Sequence, residues 1–227
     1  GIGILTLTQQ YISLYHLAEQ TLLQSNISAF PVDPVRLCKK NGVLVTGYEK
    51  FSVVSGTPVQ ELLAISQDGF CMRYQERPVI VYNHGVSSPG RKRWTVLHEL
   101  SHILLGHINQ QHLNIYERRQ DVRRRMEAEA DILTKCLIAP LPVALVCHVR
   151  DEKELRSLFG LSAEAAQNLY RDYRYLCARR RILALDAEPL LASCPRFFME
   201  WRLKQLELSR EQRRSILVTP TPEELKD

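Results

Sequence analysis

Apolar residues recur three and four positions apart over much of the chain, which predicts helices. The first covers residues 7–24. Asp33 lies between two prolines and is placed to cap a short second helix over residues 35–40, and Asn41-Gly42 is suited to end it. Further helices are predicted by the same spacing over residues 59–65, 91–106, 126–138, 152–159, 163–180 and 197–207.

Three short segments have strand character instead of helical spacing. They cover residues 43–45, 71–74 and 78–82, and the second follows the turn sequence Gln67-Asp68-Gly69. The pattern predicts a mostly helical α+β fold with one small three-stranded sheet. All three strands lie before residue 146, so we expect a domain over residues 1–145 and a helical C-terminal extension over 146–227, ending in a loose tail at Pro220 and Pro222.

The composition excludes a few classes of protein but indicates no particular function. The chain has 227 residues, 45% of them hydrophobic, and a net charge of +5, which is ordinary for a globular protein. Its six cysteines form no CxxC pair, and no apolar run is long enough for a membrane helix. The first residues do not resemble a signal peptide. We therefore expect a cytoplasmic protein that does not bind membranes.

The motif His98-Glu99-Leu100-Ser101-His102 lies within the most strongly predicted helix. Positions i and i+4 nearly align on a helix, so both imidazoles leave one face about one turn apart and can share a zinc ion. Glu99 lies one position round the helix and is expected to be the general base that activates the metal-bound water. Because HExxH is short enough to occur by chance, the interpretation needs a third ligand.

Glu127 is the predicted third ligand. Glu127 and Asp131 are also four residues apart on a predicted helix, so one carboxylate can bind zinc while Asp131 accepts a hydrogen bond from a ligating imidazole. Glu129 lies about 200° from Glu127 and should face away from the metal. The alternative interpretation is a solvated acidic helix start, which the helix dipole would favour.

Other metal arrangements fit less well. A metzincin needs Gly and His at the positions of Leu105 and Ile108. His107 is offset by one position and is interpreted as a structural residue, while His84 and His112 fall in predicted loops. The sequence therefore predicts one zinc per chain, with manganese as an alternative ion, at His98 and His102. The sheet is expected to pack on the HExxH helix and the third-ligand helix.

Several ordered motifs between about residues 27 and 142 resemble the ImmA/IrrE-type metallopeptidases, which are small gluzincin-like proteins. The similar segments are Phe30-Pro31-Val32-Asp33-Pro34, Asp68-Gly69-Phe70, Pro78-Val79-Ile80-Val81-Tyr82-Asn83, the stretch from Arg93 to Leu105, Glu127-Ala128-Glu129-Ala130-Asp131 and Leu137-Ile138-Ala139-Pro140. The resemblance implies a regulatory zinc endopeptidase that cleaves a helix-turn-helix repressor, which is often encoded beside it.

Three departures from the family pattern accompany this resemblance. The family commonly has Gly where Ser101 stands and Asn where Asp131 stands, and it favours Phe-Ala where this chain has Ile132-Leu133-Thr134. All three departures keep the proposed ligands. They therefore bear on substrate and packing more than on metal binding.

The C-terminal segment supports an alternative function. Residues 155–166 resemble the first half of a helix-turn-helix, with Gly160 at the turn and Ser162 as cap, and basic runs lie at 123–125 and 179–181. A DNA- or partner-binding regulator with a silent peptidase site is thus a second hypothesis, although a helical packing unit and solvated charge runs explain these features more simply. Candidates for an oxyanion donor are Tyr82, Arg93, His107 and Tyr116.

Overall fold

The predicted strands form a single mixed sheet in the computed structural model of the protein, which describes residues 2–108, 120–180 and 185–216. The strands are β1 (Leu44–Gly47), β2 (Gly69–Tyr74) and β3 (Arg77–Tyr82), in the order β1-β3-β2. β3 pairs in parallel with β1 and antiparallel with β2. Gln75 and Glu76, with φ of 48° and 62°, make the two-residue turn between β2 and β3.

The rest of the described chain is mainly helical, so the α+β prediction is confirmed. In chain order they are α1 (Ile2–Gln24), α2 (Pro34–Lys40), α3 (Tyr48–Ser55), α4 (Val59–Ile65), α5 (Pro89–Leu104), α6 (Gln120–Ile138), α7 (Leu141–Val146), α8 (Glu152–Phe159), α9 (Ala163–Ala178), α10 (Glu188–Ser193) and α11 (Pro195–Ile216). Three of these helices, α3, α7 and α10, were not predicted from the sequence. In α7, Pro142 lies in the first turn, where proline is tolerated.

Three predicted helices were too short, and the first of them, α1, begins at Ile2 instead of residue 7. α6 begins at Gln120, six residues before the predicted start, and α11 extends to Ile216. Polar and charged residues dominate the stretches added to α6 and α11, so apolar spacing alone could not predict them. The predicted loose tail at residues 217–227 lies outside the described residues.

The packing of α5 against α6 forms the centre of the molecule. α5 also contacts β2 and β3, and α1 packs on the other helix of the pair, α6. Leu97 and Leu100 of α5 and Leu133 and Leu137 of α6 are fully buried in the same core. Each such side chain contributes about 1.5–3 kcal/mol when it leaves water.

A buried polar contact crosses the same helix pair. Ser101 Oγ lies 2.9 Å from Thr134 Oγ1, and both residues are fully buried. The two hydroxyls also reach carbonyls of their own helices, those of Leu97 at 2.8 Å and Ala130 at 2.7 Å. These contacts satisfy polar atoms that would otherwise be costly to bury.

The C-terminal helices share the main core with the N-terminal part of the chain. Leu155, Leu158 and Phe159 of α8 are buried in it, and the Phe159 ring packs edge-on against Phe30 with 5.3 Å between centroids. The predicted division at residue 145 was drawn from the distribution of strands and stays a prediction.

All six cysteines are free thiols, four of them buried. None of the helices in the described ranges has the length and apolar character needed to cross a bilayer.

Gly160 joins α8 to α9 at a crowded point. Its φ is +60°, and an added Cβ would lie 2.7 Å from Pro31 Cγ and 3.1 Å from the Arg93 guanidinium nitrogens. Arg93 donates a hydrogen bond to the Gly160 carbonyl oxygen. The turn therefore requires both a left-handed backbone and the absence of a side chain.

Replacing Gly160 with alanine should lower the free energy of unfolding by about 2–4 kcal/mol, since left-handed strain of about 1–2 kcal/mol adds to the steric conflict. Gly56 ends α3 with φ +75° and has no atom within 4 Å of an added Cβ. Gly56→Ala is therefore the matched control and should show the strain alone. Equal losses for the two variants in urea unfolding would show that the close approach at Gly160 is unimportant.

Candidate metal centre

Helix α5 brings His98 and His102 together because they lie one turn apart. Their Nε2 atoms are 3.2 Å from each other. Glu127 of the neighbouring helix α6 points its Oε2 at both imidazoles, at 3.2 Å from His98 Nε2 and 3.5 Å from His102 Nε2. Three potential ligand atoms thus form a nearly equilateral triangle.

The triangle has the dimensions that a tetrahedral zinc ion requires. Ligand atoms about 2.0–2.1 Å from zinc are separated by about 3.3–3.4 Å along the edges of a tetrahedron. Two neutral imidazoles and one carboxylate are also a donor set that binds catalytic zinc and leaves a fourth position for water. The three residues that the structure brings together therefore fit a divalent metal ion.

The alternative interpretation of Glu127 loses its basis in the structure. Because α6 begins at Gln120, Glu127 lies in the third turn of the helix and not at its acidic start. The helix dipole acts mainly within the first turn, so it gives no reason for a carboxylate at this position.

Asp131 lies on the outer side of His98, as a hydrogen-bond acceptor for a ligating imidazole should. Its Oδ1 is 3.2 Å from His98 Nδ1, in an ion-pair contact rather than a well-formed hydrogen bond. Burial lowers the pKa of His98, but the contacts with Asp131 and Glu127 outweigh it and raise that pKa to about 10. Hydrogen bonds from His102 and His98 hold the pKa of Glu127 well below its usual range.

Glu99 is buried, with 7% of its surface exposed, between α5 and the sheet. Burial raises the pKa of its carboxyl group, while nearby His102 and His98 and a hydrogen bond from the Cys71 thiol lower it. The thiol of Cys71 on β2 has its own pKa raised by burial and by Glu99. A carboxylate whose pKa is raised in this way is a stronger proton acceptor.

The described candidates for an oxyanion donor each contact a different part of the molecule. Arg93 is engaged with the Gly160 carbonyl, and Tyr82 packs its ring on His84 with 4.4 Å between centroids. His107 lies behind His102, with 2.8 Å between their Nδ1 atoms. Tyr116 and His112 fall outside the described residues. His107 and Arg93 are thus committed to other contacts.

The contact of His107 and Glu129 beside the metal centre was not predicted from the sequence. Glu129 does face away from the ligand triangle, as its helical position predicts, but its Oε2 lies 3.3 Å from His107 Nε2. A histidine five residues after a ligand, where the helix ends, was the available signal. Arg123, Arg124 and Arg125 are exposed, in agreement with a solvated charge run.

A comparison with protein families supports the chemistry of this site. The model of the IrrE N-terminal-like domain, Peptidase_M78, matches residues 56–169, half of the chain. The protein belongs to this peptidase family. The match includes the α5 and α6 residues that form the ligand triangle, and it extends past residue 145 to α9. A search of curated proteins finds no match to the chain.

Metal binding by this member of the IrrE N-terminal-like family should release protons. With a pKa of about 10, His98 is protonated at neutral pH in the metal-free protein, and Nε2 can bind a metal only after a proton leaves the ring. Apparent affinity should therefore rise about tenfold per pH unit between pH 7 and 9. Calorimetric titrations at pH 7.5, in buffers with different ionisation enthalpies, should show about one proton released by His98.

Asp131→Asn provides the control for this measurement. Because the substitution removes a charge that raises the pKa of His98, it should make both the proton release and the pH dependence smaller. Metal binding by the unaltered protein without proton release at pH 7.5 would contradict the assignment of His98 as a protonated ligand.

Proposed function

We propose that the protein is a zinc-dependent endopeptidase of the cytoplasm, with one zinc ion per chain held by His98, His102 and Glu127. The observation that carries this proposal is the ligand triangle with sides of 3.2–3.5 Å. Membership of a peptidase family supports it. Manganese is the alternative ion, because imidazole and carboxylate groups bind several divalent metals.

The proposed mechanism assigns proton transfer to Glu99. When bound, zinc would polarise the scissile carbonyl group and lower the pKa of water to about 7. Glu99 takes a proton from the attacking water as the oxygen–carbon bond forms. It then delivers that proton to the leaving amide nitrogen as the carbon–nitrogen bond breaks. Its burial beside His98 and His102 keeps the carboxylate near its working position.

A basic cleft beside the metal centre supports a protein substrate. The Trp94 ring stacks near His98, with 6.5 Å between centroids and 23° between planes, and also lines a cleft of about 670 Å³ between α5, α6 and α9. Four basic residues line the same cleft, Arg91, Arg93, Lys135 and Arg171, together with one acidic residue, Glu164. Arg91 and Lys135 form ion pairs with Asp68 and Asp172, and the group as a whole keeps a positive charge. An acidic segment of a folded partner complements this surface. We propose that the substrate is a helix-turn-helix repressor.

The same cleft argues against the DNA-binding alternative. α8, Gly160 and α9 do have a helix-turn-helix connection. In such motifs the beginning of the second helix reads the major groove. Here Ser162, Glu164 and Ala165 at the beginning of α9 line the cleft opposite α5, and the acidic Glu164 in the first turn would repel DNA phosphates. The arrangement supports a helical packing unit.

Glu99→Gln should abolish cleavage without removing the metal. Loss of a general base costs about 10²–10⁴-fold in rate, whereas the ligand triangle contains no atom of Glu99. Zinc content by elemental analysis and cleavage by mass spectrometry would be measured on the same preparation. Glu61→Gln, at an exposed position of α4, is the matched control and should cleave normally. Wild-type cleavage by Glu99→Gln would exclude Glu99 as the base.

Charge reversal in the cleft should weaken recognition of the substrate but not catalysis. Arg171→Glu should raise the KM for the repressor encoded nearest the gene by about 5–20-fold and change kcat little, because the residue lines the cleft and is not a ligand. Arg174→Glu, exposed on the same helix outside the cleft lining, should leave KM unchanged. An intact repressor, when an unrelated unfolded protein is readily cut, would favour a general peptidase.

A further inference from the structure

His107 is held directly behind the ligand candidate His102. The two Nδ1 atoms are 2.8 Å apart, and both side chains are buried, with 2% and 6% of their residue surfaces exposed. The backbone N–H of His107 also donates to the carbonyl oxygen of His102 at 2.9 Å. Main chain and side chain therefore fix the two imidazoles relative to each other.

When His102 Nε2 binds the ion instead of donating to Glu127, the contacts allow one consistent assignment of protons. His102 turns Nε2 toward the ligand triangle, so in a neutral ligand the proton is on Nδ1. His107 Nδ1 must then accept that hydrogen bond, which leaves the His107 proton on Nε2. This Nε2 lies 3.3 Å from Glu129 Oε2, an acceptor. Each hydrogen bond in the series thus has one donor and one acceptor.

Glu129 is in turn held by a residue from another helix. Gln10 on α1 donates to Glu129 Oε1 at 3.3 Å. On α6, the exposed Arg125 places its Nε 4.0 Å from the same oxygen. The carboxylate therefore has contacts that keep it in position behind His107.

We infer that His107 and Glu129 are positioning residues for the metal ligand His102, acting through the series His102 Nδ1–H to His107 Nδ1 and His107 Nε2–H to Glu129. The inference rests on the proposed metal site. The series selects the tautomer in which His102 Nε2 is free to bind the ion, and it fixes the orientation of the ring. Hydrogen bonding of the outer nitrogen also makes the inner nitrogen a stronger ligand.

The competing explanation is that His107 only fills space in the core. Two substitutions separate the explanations. His107→Phe keeps a ring of similar volume but removes both hydrogen bonds. His107→Gln supplies one acceptor and one donor close to the positions of the two ring nitrogens. A space-filling role predicts that phenylalanine is the better replacement, whereas a positioning role predicts glutamine.

The experiment measures zinc affinity in the full chain by competition with a chromophoric chelator. His107→Phe should bind zinc about 10–100-fold more weakly, as is typical when a hydrogen-bonded partner of a ligand is lost, and His107→Gln should recover most of that affinity. Glu129→Ala should weaken binding in the same direction. His16→Phe, at an exposed position of α1, is the control and should match the unaltered protein. The visible spectrum of bound cobalt should change with His107→Phe alone among the histidine variants.

Unfolding of each metal-free variant separates ligand positioning from folding. If His107→Phe does not fold, Glu129→Ala provides the decisive affinity, since Glu129 is partly exposed. Zinc affinity of His107→Phe within twofold of wild type would overturn the inference, as would equal losses for His107→Phe and His107→Gln. Absence of zinc binding by the wild-type protein would instead overturn the proposed metal site itself.

Discussion

The packing of α5 against α6 is the interaction on which the rest of the structure depends. Two of the three proposed ligands come from α5 and the third from α6. The two sides of the ligand triangle that join the helices are therefore set by how closely α5 and α6 pack. Four buried leucines of the two helices, Leu97, Leu100, Leu133 and Leu137, lie in the same core, and α5 also packs against β2 and β3. A shift of one helix by about 1 Å would move Glu127 out of ligand distance, because metal–ligand bonds tolerate only about 0.2 Å. The distances between the proposed ligands therefore depend directly on how the core packs between α5 and α6.

The three acidic residues in the middle of α6 have different contacts, because their positions on the helix point them in different directions. Glu127 faces the two imidazoles, and Asp131, one turn later, reaches the outer nitrogen of His98. Glu129 lies between them in sequence but on a different side of the helix, where it meets His107. Three carboxylates on one helix thus contact three imidazoles, those of His98, His102 and His107, without competing for the same position. This explains how so many charges are accommodated near a largely buried site.

The sequence could predict the parts of the site that depend on local geometry. His98 and His102, and likewise Glu127 and Asp131, are pairs at helical spacing, and each pair needs only a helix to align. The contact of Glu129 with His107 could not be predicted in this way, because His107 lies beyond the end of α5 and the contact joins separate segments. The same reason explains the missed α3 and the early start of α6. Short or strongly polar helices are stabilised by tertiary contacts that apolar spacing does not encode.

Ser101 and Thr134, whose hydroxyls meet between α5 and α6, do not depend on each other for a hydrogen-bond partner. Each hydroxyl also has a carbonyl of its own helix within reach, at Leu97 and at Ala130. A chain carrying either residue alone would still have a partner for its buried hydroxyl. Changing either residue alone leaves no buried hydroxyl without a hydrogen-bond partner. Either position can therefore be changed to a small apolar residue by itself, and the hydroxyl that remains keeps its carbonyl acceptor.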